Sequence, residues 1–167
     1  MSMRYLTQGE KENSRRLYEC CFPEDSQKFV DYYYQEKCRE NEIAVIEENG
    51  KIISMVHANP FTVSCCGTQA EVHYIVAVAT DPEYRRRGYM RQLMQQVLRD
   101  CRNRGEVFSF LMPADPAYYE PLGYRYWNNQ YVWEIPKEQE LLLKGFCQNP
   151  EYQSDADPKA LAQMADR

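Results

Sequence analysis

The chain has 167 residues, and its 20 lysines and arginines against 25 aspartates and glutamates give a formal net charge of −5 at pH 7. This acidic balance argues against a protein that coats nucleic acid or an anionic membrane, because both partners require a basic face. The length suits one domain that buries its own core without disulfides or a metal ion. No apolar run approaches the roughly 20 residues of a membrane-spanning helix, and the N-terminal residues lack a signal-peptide pattern, so we expect a cytoplasmic protein.

The first part of the chain predicts one edge strand and two helices. The strand covers residues 3–6 and precedes Thr7, which is a suitable N-cap for a polar helix over about residues 9–21. Ser26 is a suitable N-cap for a second helix through residues 29–33. Two helices are therefore expected between the first strand and the next.

The middle of the chain predicts a hairpin and a central strand. Two apolar runs, residues 43–46 and 52–56, flank Asn49-Gly50, a dipeptide typical of a tight hairpin turn with positive φ. Residues 71–80 form a long β-prone run that is apolar on both faces. Such a run is typical of a strand that is covered on both sides.

An amphipathic helix and shorter elements follow the central strand. Apolar residues at spacings of three and four predict a helix over residues 87–104, which Gly105 ends. Next come a buried strand over residues 107–112, a short helical piece over residues 117–122 and a last strand or strand pair over residues 124–134. This order predicts an α/β protein in which a mixed sheet carries helices on its faces. A ligand is expected where a central strand leads into a helix N-terminus.

The seven cysteines do not form a metal-binding pattern. Neither C-x-x-C nor a histidine-rich segment is present, and the histidines are His57 and His73. Adjacent cysteines in a strand point to opposite faces, so Cys65 and Cys66 are poorly placed to hold one ion. We therefore predict reduced thiols in a reducing cytosol, and no metal site.

The stretch that carries chemistry joins the central strand to the amphipathic helix. The strand ends at Thr80, a turn follows, and a basic loop over residues 85–87 precedes Gly88 and the helix. A glycine lets the backbone approach a ligand closely. The unpaired N–H groups of a first helical turn, with the positive end of the helix dipole, form a phosphate-binding site. Arg91 adds to the positive charge of the loop.

Other interpretations of this loop are weaker. The sequence lacks the three spaced glycines of the dinucleotide fingerprint and the Gly-Lys-Ser/Thr ending of the ATP-binding P-loop. The loop arginines are alternatively a solvated surface feature, but cations at a helix N-terminus oppose its dipole, which favours a bound anion. The sequence therefore predicts a phosphate-bearing ligand at residues 85–91.

Two motifs in this part of the chain resemble the GNAT family of N-acetyltransferases. Arg85-x-x-Gly88-x-Met90, preceded by Val-Ala-Thr-Asp-Pro-Glu-Tyr, resembles the acetyl-CoA loop of that family. It has the Arg-Arg-Arg-Gly form seen in relatives of the enhanced-intracellular-survival acetyltransferases. Downstream, residues 117–125, with the sequence AYYEPLGYR, resemble the family's Phe-Tyr-Glu-Lys-Leu-Gly-Phe segment.

The resemblance implies a fold and a domain organisation. The GNAT fold has a mixed, mostly antiparallel central sheet flanked by helices, with a parallel-strand splay at the acetyl-CoA site. It would occupy residues 1–135. Residues 136–167 would be a C-terminal tail, or a linker to a further domain that this chain does not contain.

The resemblance also implies how acetyl-CoA is bound. The pantetheine arm would contact the backbone of Val78, Ala79 and Thr80. The pyrophosphate would be held mainly by main-chain N–H groups of Arg86, Arg87, Gly88, Tyr89, Met90 and Arg91. Met90 stands where the family often has Gly or Ala, so only its backbone is implied there.

The catalytic groups follow from the second motif and the central strand. Tyr119 would be the general acid that protonates the leaving CoA thiolate, with Tyr118 as the alternative. The group that deprotonates the amine stays open between Glu71, His73 and water. The two side chains alternate onto the same face of the predicted strand.

The implied activity is transfer of the acetyl group of acetyl-CoA to a primary amine of a small molecule or peptide, by direct attack within a ternary complex. The acidic composition favours a cationic acceptor, such as an aminoglycoside, a polyamine or a lysine side chain. The alternatives are a non-catalytic CoA-binding regulatory domain and a nucleic-acid-binding module that uses residues 85–87. The acceptor, a homo-oligomer and a continuation of the chain past Arg167 stay open.

Overall fold

The computed structural model describes residues 2–65 and 67–127, and their centre is one five-stranded sheet. Its strands follow in chain order: β1 (Ser2–Tyr5), β2 (Glu42–Glu48), β3 (Lys51–Cys65), β4 (Thr68–Thr80) and β5 (Ser109–Phe110). The first four strands pair antiparallel, and β4 and β5 pair parallel. The predicted mixed, mostly antiparallel sheet is confirmed, with β1 as the predicted edge strand.

Three α-helices and five short 3-10 turns complete the described part of the chain. The helices are α1 (Arg15–Cys21), α2 (Gln27–Gln35) and α3 (Tyr89–Asn103). The 3-10 turns cover Gln8–Ser14, Lys37–Arg39, Pro82–Tyr84, Pro116–Tyr118 and Glu120–Leu122. The predicted polar helix over 9–21 is therefore 3-10 in its first half and α-helical in its second. None of the helices in these ranges is long and apolar enough to cross a membrane.

The predicted caps and the hairpin turn are confirmed. The Glu10 carboxylate accepts hydrogen bonds from the backbone N–H and the hydroxyl of Thr7, and the Ser26 hydroxyl accepts one from the N–H of Phe29 at 3.3 Å. Asn49 and Gly50 have φ of 52° and 75°, the sign that both central residues of a type I′ turn require.

The core lies on both faces of the sheet. On one face, the sheet packs against α1 and α2 through residues that include Leu17, Val30, Tyr33, Val45 and Met55. On the other face, it packs against α3 through residues that include Ile53, Val56, Ile75, Leu93 and Val97. The apolar stripe of α3 is the one that the spacing of three and four predicts. We call these two sides of the sheet the α1/α2 face and the α3 face.

Strand β4 is irregular where the sequence predicts a uniformly buried strand. The register shifts between Met55 and His57 of β3, so that Val56 faces two residues of β4, Ala77 and Val78. Ala77 has a φ of 48°, an uncommon value for a residue other than glycine. This β-bulge bends the strand and leaves an extra residue unpaired. Along β4 only Val72, Ile75 and Ala79 are fully buried, so the strand is not uniformly covered.

The predicted buried strand over 107–112 is wrong in length and burial. Only Ser109–Phe110 pairs with β4, while Val107 is 74% exposed and Met112 is 63% exposed. Apolar character alone does not distinguish a central strand from a short edge ladder, and the described residues form the latter. Residues 124–127 are not a strand, and the rest of the predicted last strand, 128–134, lies outside the described residues.

His57 is a fully buried histidine on the α1/α2 face. Its Nδ1 lies 3.0 Å from the hydroxyl of Tyr33, and the two rings stack with centroids 5.8 Å apart. Burial, reinforced by the nearby charge of Lys11, lowers the pKa of His57 to about 3. The ring is therefore neutral in the folded protein at pH 7.

We expect this histidine to make the protein acid-sensitive. In the unfolded chain its pKa is about 6.5, so between that pH and about 3 the unfolded state binds one more proton. The contribution of His57 to stability is thus complete above pH 6.5 and is lost as the pH falls. Urea titrations at several pH values between 6.5 and 4 measure this effect. The free energy of unfolding should fall with decreasing pH in the wild type and in His57→Gln, and the wild-type slope should be steeper by up to about 1.4 kcal/mol per pH unit. Equal slopes would contradict this.

Candidate functional site

The loop between β4 and α3 presents a row of backbone amides. Gly88, the N-cap of α3, has a φ of 81°, and Arg86 has a φ of 62°. Gly88 O accepts the first helical hydrogen bond, from Gln92 N at 3.0 Å. The first three amides of the helix therefore have no acceptor within it. Among the described residues, no carbonyl accepts a hydrogen bond from the amides of residues 86–88 either.

The arginines of this loop divide into two groups. Arg85 Nε donates to Thr80 O at 3.2 Å, and Arg87 Nη2 donates to the carbonyl of Glu83 at 3.0 Å. These two side chains therefore brace the loop. Arg86 and Arg91 are exposed on the same segment, where they are available to an anion. The predicted phosphate site is thus mainly a backbone site with two charged side chains beside it.

An ion pair fixes the beginning of the loop. Lys51 Nζ lies 2.6 Å from an oxygen of Asp81, and this hydrogen bond holds the pKa of the Asp81 carboxyl below its usual range. The other oxygen of Asp81 accepts from the N–H of Glu83 at 3.1 Å. The turn after β4 is thereby held in one conformation before the chain reaches Arg85.

The two parallel strands part beside this loop. Pairing between β4 and β5 is limited to His73 with Ser109 and Tyr74 with Phe110. Strand β4 continues for six more residues to Thr80, while β5 ends at Phe110. The structure therefore contains the parallel-strand splay that the resemblance implies. Its apex lies at the Tyr74–Phe110 pair, and its open end leads to the loop over residues 85–88.

The three predicted pantetheine-binding residues line this splay unequally. The Ala79 carbonyl points to β3, where it accepts from the Ser54 hydroxyl at 3.0 Å. Successive residues of a strand turn their backbone groups to opposite edges, so those of Val78 and Thr80 face the splay. The Thr80 carbonyl is already bound by Arg85. The backbone groups of Val78 and the N–H of Thr80 thus remain available to a ligand. The Ala79 carbonyl points to β3 instead.

The structure separates the two candidate general acids. Tyr119 lies between the 3-10 turns Pro116–Tyr118 and Glu120–Leu122 and packs on the α3 face, its ring centroid 6.0 Å from that of Tyr124. Burial raises the pKa of the Tyr119 phenol. Tyr118, in contrast, is 63% exposed. Val78 and Met90 pack on the same face as Tyr119, which brings the second motif beside the splay and the start of α3.

The two candidate bases are held by different partners. Glu71 is exposed and accepts a hydrogen bond from the Thr62 hydroxyl at 2.6 Å. His73 Nδ1 lies 2.9 Å from Oε2 of Glu106, whose other oxygen accepts from Arg104 Nε at 3.0 Å. Burial alone would raise the pKa of Glu106, but the hydrogen bonds from His73 and Arg104 lower it overall. Glu71 and His73 both come before Tyr74 in β4, so they lie on the side of the apex away from the open end of the splay.

His73 and Glu106 also form a cluster with Cys101, and ligand atoms of the three lie within 4.8 Å of one another. Burial raises the pKa of the Cys101 thiol to about 12. Arg104 donates to the Cys101 sulfur at 3.4 Å as well as to Glu106. In the structure, Arg104 thus joins His73, Glu106 and Cys101 in one hydrogen-bonded network.

The described residues thus combine a row of unpaired backbone amides at a helix N-terminus with a splay between two parallel strands. A family model described as an acetyltransferase (GNAT) domain matches residues 2–127. The chain therefore belongs to the GNAT acetyltransferase family, as the two motifs predict.

Solved structures with the same fold include proteins of several kinds. A probable N-acyltransferase from Enterococcus faecalis V583 is 22% identical with a TM-score of 0.67, over 74% of this chain and 32% of that chain. A predicted acetyltransferase with acetyl-CoA, from Clostridium acetobutylicum, is 13% identical with a TM-score of 0.68, over 80% and 95% of the two chains. The aminoglycoside N-acetyltransferase AAC(6')-Iy in complex with CoA is 16% identical with a TM-score of 0.65, over 81% and 94%.

These similar structures confirm the fold but do not narrow the assignment within the family. This chain spans about a third of the length of the Enterococcus protein. The similar structures are various GNAT proteins, and the narrower assignment to the enhanced-intracellular-survival branch is not supported. No curated protein sequence matches the chain.

Proposed function

We propose that the chain transfers the acetyl group of acetyl-CoA to a primary amine of a small molecule or peptide, by direct attack within a ternary complex. The observation that carries this proposal is the row of unpaired amides over residues 86–91, at the open end of a splay between parallel strands. The acetyltransferase unit is proposed to span residues 1–135, followed by a tail or linker over residues 136–167. Two similar structures are described as containing CoA or acetyl-CoA.

The residues present fit the co-substrate. A Cβ placed on Gly88 would meet no protein atom within 4 Å, so the loop is open on the side where a pyrophosphate would lie. Arg86 and Arg91 are placed to pair with its charge. From Thr80 to Tyr74, six strand residues at about 3.3 Å each give roughly 20 Å, a length that suits an extended pantetheine arm. The thioester would then lie near the apex of the splay.

Bound acetyl-CoA supplies an acetyl group that is activated as a thioester. A backbone N–H of β4 at the apex of the splay would donate a hydrogen bond to the thioester carbonyl oxygen. The phenol of Tyr119, whose pKa burial raises further, carries its proton at pH 7 and would donate it to the departing sulfur. The attacking amine would lose its proton to Glu71, His73 or water, and a proton from solvent would restore the phenol. Tyr118 is too exposed for this role.

A release assay for the CoA thiol, with acetyl-CoA and a panel of amines, tests the proposal. The panel contains an arylalkylamine, a polyamine, an aminoglycoside and a lysine peptide. We expect at least one of these amines to raise the rate of thiol release well above the rate with acetyl-CoA alone. If acetyl-CoA binds tightly but no amine accelerates its consumption, the alternative of a non-catalytic CoA-binding regulatory domain is favoured instead.

A further inference from the structure

One row of side chains crosses three strands at the apex of the splay. Asn59 of β3 pairs with Tyr74 of β4, and Tyr74 pairs with Phe110 of β5. Residues directly opposite one another project to the same face of a sheet. Val76, two residues after Tyr74, packs on the α1/α2 face, so the whole row lies on that face.

The aromatic members of this row form a stacked, partly open surface. The rings of Tyr74 and Phe110 are stacked, with centroids 4.9 Å apart. Phe61 meets both of them edge-on, at 5.8 Å and 5.7 Å, and is itself 47% exposed. We call Phe61, Tyr74 and Phe110 the aromatic trio. Aromatic faces attract cations and apolar groups alike.

Asn59 adds a hydrogen-bond acceptor that lacks a donor. Its Oδ1 is buried and has no hydrogen-bond partner among the described residues. A buried acceptor without a donor destabilises the protein, so a bound N–H or O–H group is expected there.

The position of this row relative to Tyr119 suits an incoming nucleophile. Tyr119, the proposed acid for the leaving thiolate, packs on the α3 face, whereas the row lies on the opposite face of the sheet. An amine held on the α1/α2 face would therefore approach the thioester from the side opposite the acid.

We propose that Asn59 and the aromatic trio form the acceptor site, and that the acceptor is a primary amine with an aromatic or apolar substituent. The ammonium N–H would donate to Asn59 Oδ1, and its substituent would pack on Phe61 beside the stacked pair. Loss of one ammonium proton to water or to a base would then give the neutral amine that attacks. The proposal rests on the proposed function. It narrows the acceptor to amines in which an aromatic or apolar group accompanies the ammonium, since the three rings then pack on that group as well as attract the charge.

Equilibrium binding tests this without any turnover. The full chain, saturated with CoA, is titrated calorimetrically with 2-phenylethylamine, with 2-phenylethanol, which lacks the ammonium, and with spermidine, which lacks the ring. We expect 2-phenylethylamine to bind about tenfold more tightly than either. Tighter binding of spermidine would overturn the proposal. If CoA itself fails to bind, the proposed function fails, and the same titrations of the free protein still test the acceptor site.

Variants locate the binding. Phe61→Ala should weaken 2-phenylethylamine about tenfold, and Phe61→Tyr, which keeps the aromatic face, should restore most of the affinity. Asn59→Leu should weaken 2-phenylethylamine more than 2-phenylethanol, because the ammonium donates the stronger hydrogen bond. Tyr32→Ala removes an aromatic residue that is 52% exposed on α2 and should change nothing. Unchanged affinity in Phe61→Ala, a partly exposed site whose substitution leaves the core intact, would refute the acceptor site.

Discussion

Replacing Tyr119 by Phe is expected to lower turnover by about 100-fold or more, while the affinity for acetyl-CoA stays within about twofold of wild type. The phenyl ring keeps the packing against Tyr124, and only the hydroxyl that would protonate the thiolate is lost. Steady-state kcat with a saturating amine, and a calorimetric Kd for acetyl-CoA, measure the two effects separately.

The neighbouring tyrosine is the matched control. Tyr118→Phe removes the same hydroxyl from a side chain that is 63% exposed, and it should leave kcat within about twofold of wild type. Because burial raises the pKa of Tyr119, the alkaline limb of the kcat profile should lie above pH 10 and disappear in Tyr119→Phe. If Tyr119→Phe retains full turnover, Tyr119 is not the acid.

Replacing Gly88 by Val is expected to weaken acetyl-CoA binding by about 100-fold or more. Gly88 has a φ of 81°, a conformation that costs an L-residue about 1 to 2 kcal/mol and a β-branched one more. The added side chain would also project into open space beside the unpaired amides, where the pyrophosphate is proposed to lie. Strain and steric exclusion therefore act together on one affinity, which calorimetry measures directly.

The chain offers a matched control for backbone strain. Gly105, which follows the other end of α3, has a φ of 87°, and a Cβ there would also meet no protein atom within 4 Å. Gly105→Val should lower the free energy of unfolding about as much as Gly88→Val, yet leave acetyl-CoA affinity unchanged. An equal loss of affinity in both variants would mean that general destabilisation, and not the loop, is responsible.

Local sequence signals predict the elements that depend on short-range chemistry. The Asn49-Gly50 turn, the Ser26 cap and the apolar stripe of α3 each follow from a few neighbouring residues, and all are confirmed. The strand over 107–112 is predicted from apolar character alone. That signal fails because pairing depends on the partner strand, and β5 pairs with β4 over only two residues.

Only the parts of the candidate site that belong to a sequence motif can be predicted from the sequence. The loop at Gly88 is recognisable because positive φ and arginine-rich composition leave a mark in the sequence. The bulge at Ala77 has no such sequence signal, because an alternation of alanine and valine is typical of a regular strand. The row from Asn59 to Phe110 depends on strand register across three strands, which no local pattern reveals. The roles of Tyr119 and of residues 78–80 and 86–91 stay predictions.

The most direct test of the central claim is to follow a labelled acetyl group. The full chain is incubated with acetyl-CoA that carries ¹³C in the acetyl carbonyl, together with the most active amine of the panel, and the products are quantified by NMR. We predict that labelled amide and free CoA thiol form in equal amounts, at a rate that depends on the concentration of both substrates. Free labelled acetate in place of the amide, or no consumption of acetyl-CoA that is demonstrably bound, would contradict an acetyltransferase that acts on amines.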